Sequence, residues 1–361
     1  MKESLSIENS LLKPLNVGIQ TWRLNFIVPK RCKFKKIAYF AVMSSELDIY
    51  LSAFTHIKRA NTRYGLAPHK PILLLTLVEL IEKGIVLNNR FEVNVDLVGL
   101  FQENWRLLVR TGHQPDFTQP FYYLQSDKAA GQNFWFLYPN PGSQINAHIK
   151  SVKTLAEVVA YGAFDYKLAV LLSDPLNRAA VRDQLLSAYF PNERVAYYRH
   201  KELNDGFYHD VQSLVLNEPK AQYKHISIQT EEDVFVRSGL FKRYIPQLYQ
   251  DTCAMTGMRM RSTFKYNFID ACHIVPFAIT HDDKVINGIA LCPNLHRAFD
   301  RGLVSVDENY TIMVSNHIDE LVDHPYSLSK LNGRSILLPQ VQRYYPSQEN
   351  LAWHRENVFK E

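Results

Sequence analysis

IDACHIVPF at Ile269–Phe277 and NGIALCPNLHRAFDRGL at Asn287–Leu303 place Asn287 fourteen residues after His273 and His296 nine residues further on. The first stretch is rich in β-branched and aromatic side chains and reads as a strand with His273 near its end. Gly288–Cys292 reads as a short apolar second strand. Pro293 suits the first turn of a helix and Gly302 suits its C-terminal cap, so the order is strand, strand, helix. His296 and Asp300, four residues apart on that helix, share a face and can address one cation. A single histidine on such an element is more often structural than catalytic. An ordered His, Asn, His set at this spacing is much harder to obtain by chance.

CAMTG at Cys253–Gly257 precedes this set, and HRAFDRGL at His296–Leu303 closes it. Together they resemble the core of the HNH nucleases, and in particular the zinc-free branch common among restriction enzymes. VRSGLFKRYIPQLYQDTCAMTG, ending at Gly257, resembles the lead-in helix of that branch. The resemblance implies a ββα-metal fold with His273 as general base, Asn287 bracing the loop and His296 as a metal ligand. It departs from the family at Cys272, where a metal-binding Asp often precedes the base. Asp270 or Asp300 must then supply the carboxylate, with Asp270 preferred. The family's two CxxC pairs are reduced to Cys253 with Thr256 and Cys292 with Leu295, so a four-thiolate structural zinc site is not expected.

The cofactor expected from the resemblance is a divalent metal. Magnesium is the default because it is hard and bridges phosphate oxygens; manganese, nickel or cobalt are also accommodated by imidazole. Water activated by neutral His273 would attack phosphorus in line, leaving products with 5′ phosphate.

At 361 residues the chain can hold two domains with real cores, and 46% hydrophobic content is that of an ordinary globular protein. No apolar run is long enough to span a membrane. The four cysteines, Cys32 among them, show no disulfide framework and fit a reducing cytosol, so a cytoplasmic location is expected. Net charge is only +5; residues 1–42 carry +6 and the remainder −1, so DNA binding by the folded part must rest on local basic patches. Residues 1–44 read as an N-terminal extension, either a basic arm or an upstream artefact of gene calling, because Met43 opens what looks like a fresh start.

The whole is expected to be α+β: a mostly helical N-terminal DNA-reading domain with small strands over 45–192, a linker at 193–225, and the nuclease domain over 226–361. Ile49 to Ala60 reads as an amphipathic helix. PILLLTLVELIEKG reads as a buried helix that stops at Gly84, and PLNRAAVRDQLLSAYF as the last helix of the domain. The aromatics Phe117, Phe121, Tyr122 and Tyr123 read as belonging to a strand and largely to the core. RVAYYRHK at Arg194–Lys201 suits either a DNA backbone contact or a solvated connector. Thr230 with three acidic residues after it is a good helix start. The tail after Asn316 resembles the end of the same nuclease branch and is expected to pack on it. There are no internal repeats.

APHKPILLL, PFYYLQSD with the aromatic run that follows, and DPLNRAAVRDQLLSAYF are similar to the sulfur-binding domain family, found in nucleases that recognise phosphorothioate-modified DNA. The resemblance covers about 145 residues and maps the sulfur pocket onto Gln119, Pro120 and Tyr123, with Lys70 beside His69. Gln119 stands where the family has an aromatic residue and Tyr123 where it has a small one. His69 and Lys70 can equally be read as capping the helix that follows. What the two resemblances imply is a restriction endonuclease in bacterial defence acting on double-stranded, phosphorothioate-modified DNA, as a homodimer or by sequential nicking. The alternatives are an HNH restriction enzyme reading unmodified or base-methylated DNA, and a catalytically decayed DNA-binding protein.

Overall fold

The computed structural model of the chain describes residues 46–203, 206–218, 230–260, 262, 267–321 and 324–361; the extension at 1–44 lies outside them. Residues from Ser45 onward form one compact unit. Among the described residues no helix is long and apolar enough to cross a membrane.

The chain opens with α1 (46–55) and a small hairpin of β1 (Asn61–Thr62) and β2 (Gly65–Leu66). Next come α2 (His69–Glu82) and α3 (Val95–Leu108), the paired centre of the N-terminal half. Every side chain of α2 from Pro71 to Leu80 is buried, which is why its sequence is apolar almost all round. Asn94 starts α3 by accepting hydrogen bonds from the Asp96 and Leu97 amides, both at 3.1 Å. TQPFYY folds as the helix α4 (Thr118–Tyr123) and not as strand. The Asp116 carboxylate accepts from the Thr118 and Gln119 amides and so turns the chain into the helix. Phe117 and Phe121 are core, whereas Tyr123 is exposed.

β3 (Lys128–Ala129) and β4 (Gln132–Asn133) form a second hairpin. β5 (Trp135–Pro139), α5 (Val152–Val158) and β6 (Val159–Phe164) follow, β5 pairing antiparallel with β6. The Trp135 indole donates to the Phe121 carbonyl at 3.0 Å, so its one polar atom is satisfied inside the core. α6 (Tyr166–Leu171) and α7 (Pro175–Tyr189) complete this half, each started by an aspartate cap.

Residues 193–225, expected as a linker, contain α8 (Arg194–Leu203) and α9 (Phe207–Val215). Two of the cations of RVAYYRHK pair with acids of the same half, Arg194 at the surface and Lys201 in the interior. Arg194 pairs with Asp183 at 2.7 Å, and Lys201 lies between Glu79 and Glu103 at 2.8 and 2.6 Å. Tyr197 is buried.

α10 (Glu231–Leu248) starts at Thr230, whose hydroxyl accepts from the Asp233 amide. This helix packs on α3 and α9 and also on the nuclease strands. The ββα unit is β7 (Asp270–His273), a short α11 (Phe277–Thr280), β8 (Gly288–Leu291) and α12 (Pro293–Asp300). The first strand stops at His273 rather than running on to Phe277, because Val275 gives both backbone groups to the Asn287 side chain and Pro276 cannot donate. α12 ends at Gly302 with φ +72°, where a Cβ would collide with the Val358 carbonyl oxygen. The hairpin of β9 (Val304–Val306) and β10 (Ile312–Val314) and the helix α13 (Gln348–Asn357) close the chain, with α13 docked on β9.

Candidate active site and a second cavity

β7 and β8 are antiparallel with His273 opposite Gly288. Gly288 is required by α10: a Cβ there would collide with the Ile245 and Phe241 side chains. That close approach lays the Phe241 ring flat on the His273 imidazole, centroids 3.9 Å apart and planes 10° apart. The His273 Nε2–H donates to the Asp283 carboxylate at 2.9 Å, which leaves the lone pair on Nδ1. Asp283 is fully buried, and its other oxygen accepts from Arg237 Nε at 2.8 Å. Stacking, hydrogen bond and ion pair therefore hold one ring in one tautomer.

Asn287 is buried behind this ring. Its carbonyl oxygen accepts from the Val275 amide at 2.9 Å, and its amide donates to the Val275 and Asp282 carbonyls, both at 3.0 Å. It clamps the loop between the two strands at both ends.

Strand alternation turns Asp270 and Cys272 to one face of β7, toward α12. The His296 Nδ1–H donates to Asp270 at 3.1 Å, and its Nε2 lies 3.5 Å from Asp300. Cys272 Sγ is 3.7 Å from the other Asp300 oxygen. One donor atom each from Cys272, His296 and Asp300 lie within 4.8 Å of one another, a sulfur, nitrogen and oxygen set that fits a divalent ion. His296 and Asp300 open on a cavity of about 370 Å³ lined also by His273, Pro276, Phe277 and His354, with Cys272 buried beneath it. His354 is stacked on Phe299, accepts from Ser305 and donates to the Phe299 carbonyl; burial lowers its pKa to about 4. The remaining cysteines of the unit, Cys253 and Cys292, meet each other: a hydrogen bond from the Cys292 thiol holds Cys253 below the ordinary thiol range.

A larger cavity of about 550 Å³ lies in the N-terminal half. It is lined by His69, Lys70, Gln119, Pro120 and Tyr123 together with Lys58, Arg59 and Asp116. All five residues mapped from the sequence thus share one hollow between the start of α2 and α4. Two of them are engaged within the protein. Burial lowers the His69 pKa, and its Nε2–H is committed to the Gln114 carbonyl at 2.9 Å, so the ring is neutral. The Lys70 ammonium pairs with the buried Asp127 at 2.5 Å. Asp127 also accepts from the Lys58 amide at 2.8 Å and so ties the segment after α1 to α2. Arg59 lies over the Tyr189 ring, 4.7 Å from its centroid.

Sequence reasoning missed Asp283, Arg237, Lys58, Arg59 and Asp127. The acids of HDDK were visible between His273 and Asn287, but nothing in that run says which one turns inward. Lys58 and Arg59 had been absorbed into a longer α1.

Residues 253–307 match the family of HNH endonucleases designated HNH_2, and the chain therefore carries an HNH endonuclease domain. Over 86 residues the chain is 28% identical to the type IV methyl-directed restriction enzyme EcoKMcrA of Escherichia coli strain K12; the match spans 23% of this chain and 30% of that protein. A solved structure of a modification dependent TagI restriction endonuclease aligns with 34% of this chain and 39% of its own at 21% identity, with a TM-score of 0.26.

Proposed function

We propose that the chain is a modification-dependent DNA restriction endonuclease that hydrolyses phosphodiesters at the His273–Asn287–His296 site and reads phosphorothioate through the cavity at Gln119, Pro120 and Tyr123. The observation that carries the reading is the convergence of five residues from two distant segments on one hollow, in a chain with a second cavity lined by His273 and His296.

His273 takes the proton of the attacking water on Nδ1. Asp283 accepts from Nε2–H and stabilises the imidazolium that forms, and Arg237 fixes the Asp283 carboxylate in place. Asn287 holds the loop that carries this arrangement. We take His296 Nε2 and Asp300 as ligands of the divalent ion and Asp270 as the group that orients His296, because Asp270 occupies the Nδ1–H and directs the other lone pair at Asp300. When bound, the ion supplies positive charge at the phosphate oxygens and the leaving 3′ oxygen. Departure of that oxygen leaves the phosphate on the 5′ side.

A non-bridging sulfur is larger, more polarisable and less well hydrated than oxygen, so apolar walls favour it. Pro120 and the Tyr123 ring provide such walls, and Lys58 and Arg59 supply cations for the phosphate that the commitments of His69 and Lys70 do not. Since one site cuts one strand at a time, double-strand cleavage requires two copies or two successive nicks.

A second reading has a specific observation behind it. The cavity is several times larger than a sulfur atom needs, and it presents the Gln119 amide beside a tyrosine, which would also suit a methylated base turned out of the duplex. The partial relative is named as methyl-directed. Purified protein with magnesium, manganese and cobalt in turn, given paired duplexes that differ only in one stereodefined phosphorothioate per strand, separates the two. Cleavage of the sulfur-containing duplex alone supports the first reading. Equal cleavage discards it, and a third duplex with methylated cytosine then tests the second.

A further inference from the structure

We infer that Cys272, its thiol proton released to solvent as the metal binds, is a direct thiolate ligand of the catalytic cation, and that the site consequently selects a thiophilic borderline ion of the zinc or cobalt kind over magnesium. This rests on the HNH reading of the same site and names the ion it uses.

The thiol is placed by the fold. Residues two apart on β7 face the same way, so the strand that ends in His273 presents Cys272 toward α12 together with Asp270. There the sulfur lies 3.7 Å from one Asp300 oxygen, while His296 Nε2 lies 3.5 Å from the other. A tetrahedral ion with a bond of about 2.3 Å to sulfur and about 2.1 Å to nitrogen and oxygen has ligand-to-ligand edges of roughly 3.4 to 3.6 Å. The sulfur and the imidazole each approach that spacing to one of the two Asp300 oxygens, and one donor atom from each of the three residues lies within 4.8 Å of the others, so a small rotation of the Asp300 carboxylate closes the set on one ion.

The donor set opposes magnesium on chemical grounds. Magnesium demands six near-octahedral oxygen ligands and gives up its waters reluctantly, so a buried sulfur and an imidazole replace good ligands with poor ones. Zinc and cobalt bind sulfur, imidazole and carboxylate together, and three protein ligands leave one position open toward the cavity. Asp270 contributes from outside the set by fixing the His296 tautomer.

The test is a titration of the full chain, freed of metal, with Co2+ and read by absorption. The expected result is a thiolate-to-cobalt charge-transfer band in the near ultraviolet with intense visible bands of four-coordinate cobalt. The band is lost in Cys272→Ser and retained in a Cys253→Ser, Cys292→Ser double variant. A large excess of Mg2+ should not displace the cobalt. Cys272→Asp should bind cobalt without the band and gain Mg2+-supported cleavage. Cobalt bound through visible bands alone, or a near-ultraviolet band unchanged in Cys272→Ser, overturns sulfur ligation and leaves the HNH reading standing. Cobalt binding that survives His296→Ala with its spectrum unaltered overturns the metal assignment itself. Should Cys272→Ser fail to fold, X-ray absorption of the Cys253→Ser, Cys292→Ser double variant loaded with cobalt still decides, because a sulfur neighbour at about 2.3 Å is required and a shell of nitrogen and oxygen alone rejects the proposal.

Discussion

His273 carries its chemistry only because three neighbours restrict it. Phe241 sets the plane of the ring, Asp283 sets the tautomer, and Arg237 holds the Asp283 carboxylate in position. His273→Ala should lower cleavage by roughly 10² to 10⁴-fold with DNA retention in a mobility-shift assay unchanged; undiminished degradation would remove the base assignment. Asp283→Asn tests the relay more finely. It should leave DNA Kd alone and reduce kcat by roughly 10²-fold or more, since the amide no longer favours one tautomer or stabilises the imidazolium. A loss confined to KM would refute that role. His354 sets a different pH dependence. Its folded pKa of about 4 is below the ordinary value of 6.5, because burial penalises the charged ring. Its contribution is complete above pH 6.5 and is lost as pH falls toward 4, by about 3 kcal/mol. The stability gap between wild type and His354→Gln in urea unfolding should therefore shrink by that amount between pH 7 and pH 4.

Among the elements, α12 shows most directly how a local signal is exploited. Pro293 starts it, and Gly302 stops it in a left-handed turn that passes under the backbone of the C-terminal helix. Gly302→Ala should cost about 3 kcal/mol or more, because it adds both the conformational penalty and a collision with the Val358 carbonyl. A thermal midpoint within a degree or two of wild type would contradict this. The helical signals of α2, α7 and α10 were legible because caps, prolines and apolar periodicity lie within one element. The strand expected over Ile269–Phe277 forms but ends at His273, and the strand implied for TQPFYY is a helix. In both, a side chain from elsewhere in the local sequence takes over the backbone: Asn287 at Val275 and Asp116 at Thr118.

For the whole molecule, α10 joins the two cavities' scaffolds. Arg243 on this helix makes a two-pronged ion pair with Asp96 on α3, at 2.9 and 2.7 Å, and Tyr208 of α9 donates to the same carboxylate at 2.5 Å. Arg106 of α3 reaches back to Asp233 at 2.8 Å. Pairs of this kind, mostly withdrawn from water, cost more to break than they add when made. Asp96→Ala should destabilise the protein by about 3 kcal/mol, and calorimetry of wild type should show one transition over residues 46–361. Two resolved transitions would mean that the halves fold independently.

By itself the sequence determined the ββα order, the spacing of His273, Asn287 and His296, and most helices of the N-terminal half, because each depends on side chains within a few turns of one another. It also marked Cys272 as a departure. Tertiary structure alone decided that Asp283 rather than Asp282 faces the imidazole. It also paired Lys70 with Asp127, set His69 against a carbonyl, and drew Lys201 of α8 between Glu79 and Glu103. Those outcomes depend on which buried groups find partners, and a charge leaves water only where a partner from a distant segment meets it.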